Sequence, residues 1–457
     1  MGSSTRIREG NALPVVHPHA AGIDIGSREH YVAVGPDGSS VRAFGCATAD
    51  LFEMGRWLKS CGVTTVAMES TGVYWVPVAR ILEEDFGIAV VLVDPRYVRS
   101  VPGRKSDVKD CQWLQRLHTH GLLTGVFRSP VEIEPLKAYY RHRKSLVEGA
   151  AQDVLRMQKA LEVMNVQLHK VLSDITGVTG LRIMRAIVAG ERDPVTLARY
   201  RHHLVKSPED EIAKALGGKF LPEQLFLLGQ SLEAYDFAHQ QIAACDGEIE
   251  TYMRTLKGRA TEQDLAKAAP RPRARRKNQP HFDLRAELTR IAGVDLTRIP
   301  GIDALTSQTL IAEVGADVSA FPTEKHFVSW LALCPNHAIT GGRVRRRKSR
   351  PSANRVATAL RVAAQTLHKS KTALGAFYRR MRARLGAPKA ITAAARKLAA
   401  TVYRMLKHGE AFVEHGQEAY EKQYKERVLT NLRRSAKQLG FQLIAEPVAE
   451  PVAEPVS

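Results

Sequence analysis

Four acidic residues stand where a metal-dependent enzyme needs them. They are Asp24 in Ala21-Gly-Ile-Asp-Ile-Gly26, Glu69 in Val66-Ala-Met-Glu-Ser70, and Asp107 with Asp110 in Lys105-Ser-Asp-Val-Lys-Asp110. Carboxylates are the hard oxygen donors that Mg2+ takes. Two such ions about 4 Å apart can activate an attacking oxygen and stabilise a leaving one. The set therefore points to phosphodiester chemistry, with Asp24, Glu69, Asp107 and Asp110 as metal ligands. Singly, each acid has a plainer reading: Asp24 as a turn former, Glu69 as a helix N-terminal acid, Asp107 as the N-cap of a helix containing Asp110. Together they are harder to dismiss, because carboxylates gathered at strand ends are costly without a cation or hydrogen-bond donors.

The elements that must position these acids follow from periodicity. Strands are expected at Gly22–Ile25, His30–Val34 and Val41–Phe44, with turn residues between them as hairpins require. A helix over Ala49–Lys59 leads into a strand at Thr64–Met68. A second helix, about Tyr74 to Glu84, precedes a strand at Ile88–Val93. Hairpins give antiparallel strands and helical crossovers give parallel ones, so this order predicts a ribonuclease-H-like (RuvC-like) mixed sheet. Asp107 and Asp110, three apart, share one face of a helix over Asp107–Thr119.

Beyond Pro135 the period changes. Ala150, Val154, Met157, Leu161, Met164, Leu168 and Val171 form a heptad seam, and a second seam runs from Leu225 through Leu232, Tyr235, Ile242 and Ile249 to Leu256. Two such helices fit an antiparallel hairpin, a dimerising coiled coil, or a spacer packed on its own domain. The stretch from Ala268 to Pro280, rich in proline and arginine, reads as a basic linker. It is followed by a local duplication, Leu288-Thr-Arg-Ile-Ala-Gly-Val-Asp295 and Leu296-Thr-Arg-Ile-Pro-Gly-Ile-Asp303. The second copy precedes a helix and resembles a helix-hairpin-helix that offers backbone amides to phosphate; the alternative is an ordinary N-cap by Asp303.

A second chemical candidate lies near the C-terminal end. Thr340 stands beside Gly341-Gly342, followed by Arg343, Arg345, Arg346, Arg347, Lys348 and Arg350. A hydroxyl on a glycine turn among guanidinium groups suits nucleophilic attack on a DNA phosphate. A solvated basic loop that only grips phosphates is the plainer reading, and Ser349 and Ser352 are competing hydroxyls. Helices are expected at Ala357–His368, Ala373–Leu385 and Lys389–Lys407, with Arg361, Arg379, Arg380, Arg382, Arg384 and Arg396 on polar faces. The chain ends in a repeat of Ala-Glu-Pro-Val, expected to be a disordered tail.

Composition narrows the partners. A chain of 457 residues exceeds what one core fills, roughly 250 to 300 residues. A net charge of +20 attracts polyanions, nucleic acid first. Cys46, Cys61, Cys111, Cys245 and Cys334 lie singly, against a zinc site or a disulfide framework. The N-terminus lacks the apolar run of a signal peptide, and no membrane span is expected, so a cytoplasmic protein follows.

Taken in order, Gly22-Ile-Asp-Ile-Gly26, Met68-Glu-Ser-Thr-Gly72, Lys105-Ser-Asp-Val-Lys-Asp110, Ile299-Pro-Gly-Ile302, Trp330-Leu-Ala-Leu-Cys-Pro335, Thr340-Gly-Gly342 and Asn354-Arg355 resemble the DEDD-type insertion-sequence transposases, the insertion sequence 110 family. The resemblance covers most of residues 21–411. It implies a bacterial, nucleoid-associated recombinase that excises and inserts an element. The metal ligands would be Asp24, Glu69, Asp107 and Asp110, with Mg2+. It implies a DNA substrate, a bridge RNA guide and a homo-oligomer, dimer or tetramer, in which the acidic domain of one protomer meets the hydroxyl domain of another. Thr340 stands where the family has a nucleophilic serine, and Lys105, Gly341, Gly342, Arg343, Arg345, Arg346, Arg347, Lys348, Arg350, Asn354 and Arg355 would contact nucleic acid. Expected divisions are a ribonuclease-H-like domain at 15–130, a coiled-coil region at 131–265, a linker at 266–285, a helical transposase domain at 286–412, and an extension with a disordered tail at 413–457. A structure-specific nuclease of the Holliday-junction-resolvase type, needing only the acids, and a non-catalytic nucleic-acid-binding protein are the alternatives.

Overall fold

The structure, a computed structural model, describes residues 13–35, 40–70, 72–98, 106–267, 278–341, 343–349, 354–409 and 416–444. The chain divides into two compact units, Met1–Arg128 and Ser129–Ser457.

The first unit is mixed α/β. Strands β1 (Ala20–Ile25), β2 (Glu29–Val34) and β3 (Ser40–Gly45) form antiparallel hairpins; helix α1 (Thr48–Ser60) leads to β4 (Thr65–Glu69), and α2 (Trp75–Glu84) to β5 (Ala89–Val93). The sheet order is β3-β2-β1-β4-β5, with β1, β4 and β5 parallel. After a helical turn α3 (Pro95–Val98), α4 (Asp107–Thr119) closes the unit. This topology is compatible with a ribonuclease-H-like domain.

Strand alternation divides the sheet's two faces. Ala21, Ile23, Val32, Val34, Val66 and Met68 face one side, where α1 contributes Leu51, Met54 and Leu58 and α2 contributes Val78 and Leu82 to a single core. The other face is lined by small residues. Gly22 pairs with Ala33 on β2 and with Ala67 on β4. A Cβ at Gly22 would overlap the Cys111 carbonyl oxygen and the Gln115 amide nitrogen of α4. The helix backbone therefore rests directly on the sheet at a point where only glycine fits. Around that contact, Gln115 Nε2 donates to the Gly35 carbonyl, and Leu114 packs with Val91 and Val93 of β5.

At the C-terminal end of α4, buried His118 has Nε2 2.9 Å from Thr65 Oγ1 and its ring stacks on His17 at 4.8 Å. Burial, and then the neighbouring His17, push its pKa down to about 4.

The second unit is mostly helical: α5 (Glu134–Val163), α6 (Leu168–Val171), α7 (Val178–Val188), α8 (Pro194–Ala198), α9 (Glu209–Leu216), α10 (Pro222–Thr255), α11 (Glu262–Lys267), α12 (Leu284–Ala292), α13 (Ala304–Val314) and α14 (Glu324–Trp330). A two-stranded hairpin of β6 (Pro335–Thr340) and β7 (Arg343–Ser349) follows. The last helices are α15 (Arg355–Thr366), α16 (Ala373–Leu385), α17 (Ala387–His408) and α18 (Gly416–Gln438). The long helices α5 and α10 run antiparallel. Tyr139 meets Tyr252 and Arg143 meets Asp246 near one end, while Met157 and Leu161 share a core with Leu228 and Leu232 near the other. Arg143 and Asp246 are both buried, and the guanidinium also donates to the Asn278 carbonyl at 2.9 Å. Of the three arrangements open for the two seams, the helices pair as an antiparallel hairpin within their own unit.

The expected single helix through Val171 is broken. The first helix ends at Val163, and Leu168 and Val171 belong to α6. Asn165, with φ 56°, turns the chain out of the helix, a conformation asparagine tolerates better than most residues. The linker lies largely outside the described residues, as do residues 445–457 of the tail. Within the C-terminal extension the chain forms α18. Among the described residues no helix is long and apolar enough to cross a membrane.

Gly22→Ala is expected to force α4 off the sheet and destabilise the protein by about 1–3 kcal/mol, the usual cost of overpacking, read as a lowered urea midpoint. For His118 the unfolded chain takes up its proton near pH 6.5 and the folded chain only near 4. This group should therefore lower stability by roughly 1.4 kcal/mol per pH unit as pH falls through that window, with full stability above it. Urea midpoints from pH 7 to 4.5 should show a slope that His118→Gln reduces.

Candidate active site

Two of the acids, Asp24 and Glu69, belong to one rung of the sheet. Asp24 pairs with Tyr31 of β2, which pairs with Ala43 of β3. On the other side, Ile23 pairs with Met68, so the next rung sets Asp24 beside Glu69, itself paired with Val93 of β5. Asp24 and Glu69 follow Gly22 and Ala67 by two residues, so they share the face on which α4 lies. The first turn of α4 carries Asp107 and Asp110.

Electrostatics place the helix acids beside this rung. Burial pushes the Cys111 thiol up to about 12, with Asp24 the next cause and Asp110 adding to it, so both carboxylates lie near that sulfur. The Tyr31 hydroxyl donates to Glu29 Oε2 at 3.1 Å. That bond raises the Tyr31 pKa first, with Glu29's charge next and Asp107 contributing, which puts Asp107 near the β2 side of the rung. The α4 N-terminus, with its positive partial charge, also points toward this end of the sheet.

Ser106, not Asp107, is the N-cap of α4: its side chain accepts from the Lys109 amide at 3.4 Å. Asp107 thereby stands in the first turn with its carboxylate free of the capping role, and Asp24 lies within a strand rather than a turn. Sequence reasoning passed over Ser106, Gly22, Cys111 and Tyr31. The short turn Gly26-Ser-Arg-Glu29 fixes Tyr31 opposite Asp24, and this register was the available signal.

Four carboxylates on one face suit a hard divalent cation, and Asp24, Glu69 and Asp110 are half-buried while Asp107 is exposed. Among the described residues, however, no three His, Cys, Asp or Glu side chains are gathered closely enough to hold a metal ion.

In the second unit the expected glycine loop is a β-hairpin. Pro335 pairs with Ser349 at its root and Thr340 with Arg343 at its tip, where Gly341 takes φ 55°. Gly-Gly is a two-residue hairpin signal, which the basic run on β7 obscured. Thr340, Gly341, Arg343 and Arg345 are exposed, and a bulge interrupts the ladder at Ala338/Ile339. Arg346, Arg347 and Lys348 lie on β7, whereas Lys105, Gly342, Arg350 and Ser352 fall outside the described residues. Thr340 and Ser349 thus stand at opposite ends of a ribbon roughly 20 Å long. Just before the root, Ala332 holds the left-handed φ of 52°.

Two further residues expected to contact nucleic acid also have partners within the fold. Asn354 caps α15 by accepting from the Ala357 amide at 3.1 Å, and Arg355 lies 4.0 Å from Glu313, which also binds Arg141 at 2.6 Å. The duplication yields two matched turns: Asp295 accepts from Thr297 and Asp303 from Thr306, each through backbone amide and hydroxyl. At the second turn, the ordinary N-cap by Asp303 is what forms. Gly301, with φ 89°, lies so close to α15 that a Cβ would sit 2.8 Å from the Ala363 carbonyl oxygen.

Comparison with protein families gives this layout its class. Residues 21–166, which contain all four acids, match a transposase model of the DEDD type defined on insertion sequence 110, and residues 295–379, which contain the hairpin, match the model described as Transposase IS116/IS110/IS902 family. The chain is thus a DNA-processing enzyme of the transposase class. The two matches are halves of one family and together span just over half the chain, which belongs to the insertion sequence 110 family of transposases. No curated protein matches it significantly.

Native-state alkylation should modify exposed Cys46 and Cys61 and spare Cys111, whose thiol is buried and held protonated. Mass spectrometry after iodoacetamide treatment at pH 8 checks this, and rapid labelling of Cys111 would mean that α4 does not sit on Gly22.

Proposed function

We propose that this transposase cuts and rejoins DNA by combining the acid rung of its first unit with the Thr340 hydroxyl of its second. The observation that carries this reading is the shared face of Asp24 and Glu69 beneath the first turn of α4, which bears Asp107 and Asp110. These residues would hold Mg2+, which when bound supplies activation of the attacking oxygen and charge stabilisation of the leaving one. Half-burial of Asp24, Glu69 and Asp110 raises the strength of their interaction with a cation relative to open solvent.

Thr340 Oγ1 attacks a DNA phosphorus, a P–O bond to the chain forms, and the bond to a deoxyribose oxygen breaks. That oxygen leaves as a hydroxyl, so the threonine proton is accounted for. Attack by a second strand's hydroxyl reverses the step and rejoins DNA without net hydrolysis. Arg343, directly across the ladder from Thr340, stands where its guanidinium can neutralise the phosphate. The γ-methyl of threonine restricts χ1 and narrows the approach relative to serine.

The surplus of 67 Lys and Arg over 47 Asp and Glu supports a large nucleic-acid load, DNA together with a bridge RNA that selects the sites. Assembly into dimers or tetramers would let one protomer's acids act with another's hydroxyl. The domain divisions expected from the sequence belong to the same proposal. A second reading, a resolvase-type nuclease using the acids alone, draws on the threonine at the serine position.

Incubation with element-end DNA and Mg2+ followed by denaturing electrophoresis should reveal a covalent protein–DNA adduct. Thr340→Ala and Asp24→Asn should abolish it, while Thr340→Ser and Ser349→Ala should keep it. An adduct that survives Thr340→Ala would rule out this nucleophile, and undiminished cleavage of branched DNA by that variant would select the nuclease reading.

A further inference from the structure

The β2–β3 side of the acid rung carries an aromatic group that the metal chemistry does not use. Tyr31 lies between Asp24 on one neighbouring strand and Ala43 on the other. Its hydroxyl is tied to Glu29, two residues along the same strand, which draws the ring along β2 toward the hairpin turn. The β3 residues facing this stretch are Ala43, opposite Tyr31, and Gly45, opposite Glu29. Ala43 is exposed and lacks the bulk to cover a phenol ring, Tyr31 is only half-buried, and at Gly45 the Asp50 carboxylate takes the place a side chain would fill. The sheet thus forms a one-residue shelf at Ala43 beside one aromatic side chain, next to Asp24 and closed off by Asp50 at Gly45.

The chemistry of an occupant follows. Glu29, Asp24 and Asp107 surround the ring with negative charge, so an anionic group is disfavoured on the shelf itself. A neutral, flat, aromatic group is favoured, because every nucleobase presents a π-face that stacks on tyrosine regardless of sequence. A phosphate held at the acids would leave the base of an adjoining nucleotide within reach of the shelf.

We propose that Tyr31 and the shelf at Ala43 seat the unpaired base of a nucleotide next to the phosphate being cut, making Tyr31 a substrate-positioning residue. This rests on the reading of the acid rung as the cleavage site. The base is gripped by stacking rather than by edge hydrogen bonds, so the shelf selects an unstacked, accessible base and not a sequence.

The test uses the full chain, Ca2+ and a four-way DNA junction carrying a fluorescent purine analogue at the exchange point. Cation-dependent binding by the wild type should quench the analogue. Tyr31→Leu, which keeps apolar volume, should lose the quench and bind about five- to a hundredfold more weakly, the range for loss of one stacked base. Tyr31→Phe and Tyr31→Trp should retain both, with thermal melting unchanged across the set. Quenching and affinity preserved in Tyr31→Leu, while Asp24→Asn loses cation-dependent binding, would overturn the shelf and leave the acid site standing. Binding that shows no cation dependence in the wild type, or that keeps it in Asp24→Asn, would overturn both.

Discussion

Everything in the first unit hangs on the contact between the backbone of α4 and the bare Cα of Gly22. Helices usually stand off a sheet by the thickness of their side chains. Here Gly22, Ala33 and Ala67 form a rung with almost no side chain, and the helix settles onto it. The next rung carries Asp24 and Glu69. The closeness gained at one rung sets the first turn of α4, with Asp107 and Asp110, on the same face of the sheet as Asp24 and Glu69.

That closeness has a local electrostatic cost, which the structure distributes. Cys111 is driven to remain a neutral thiol, Ser106 takes over the cap so that Asp107 does not, and the N-terminal end of the helix offers partial positive charge to a cluster of negative groups. In the second unit the buried charges are handled by pairing. Arg143 and Asp246 neutralise each other between the long helices, and removing either partner alone would leave an uncompensated charge in the core.

The first unit was nearly all legible in the sequence, because each strand and helix announced itself by period and by turn residues. Helix α4 has the bounds expected of it, and the five strands fall within a residue or two of theirs. What the sequence hid was relational. The pairing of Tyr31 with Asp24 depends on register, and the role of Gly22 depends on a helix nearly a hundred residues away. In the second unit two local signals misled. The heptad seam ran on past Asn165, although its spacing says nothing about a backbone turning left-handed. The arginine run on β7 looked like a loop because charge masked the alternation of a ribbon. Whether the carboxylates close around an ion lies beyond sequence, since it depends on the balance of their repulsion with a bound cation.

The β6–β7 ribbon has a mechanical consequence. Thr340 is at the end of an arm roughly 20 Å long whose pivot is the short stretch around Ala332 and Pro335. A rotation of about ten degrees at the pivot displaces the tip by roughly 3.5 Å, more than the length of a hydrogen bond. The backbone angle of one buried alanine therefore governs where a distant hydroxyl arrives. Ala332 takes this conformation in the C-terminal cap of α14, where its amide donates to the Ser329 carbonyl at 2.9 Å and the Leu333 amide to the Val328 carbonyl at 3.1 Å, so the pivot is pinned rather than a free joint. Substitutions there would change the aim of the arm while leaving the chemistry of its tip untouched.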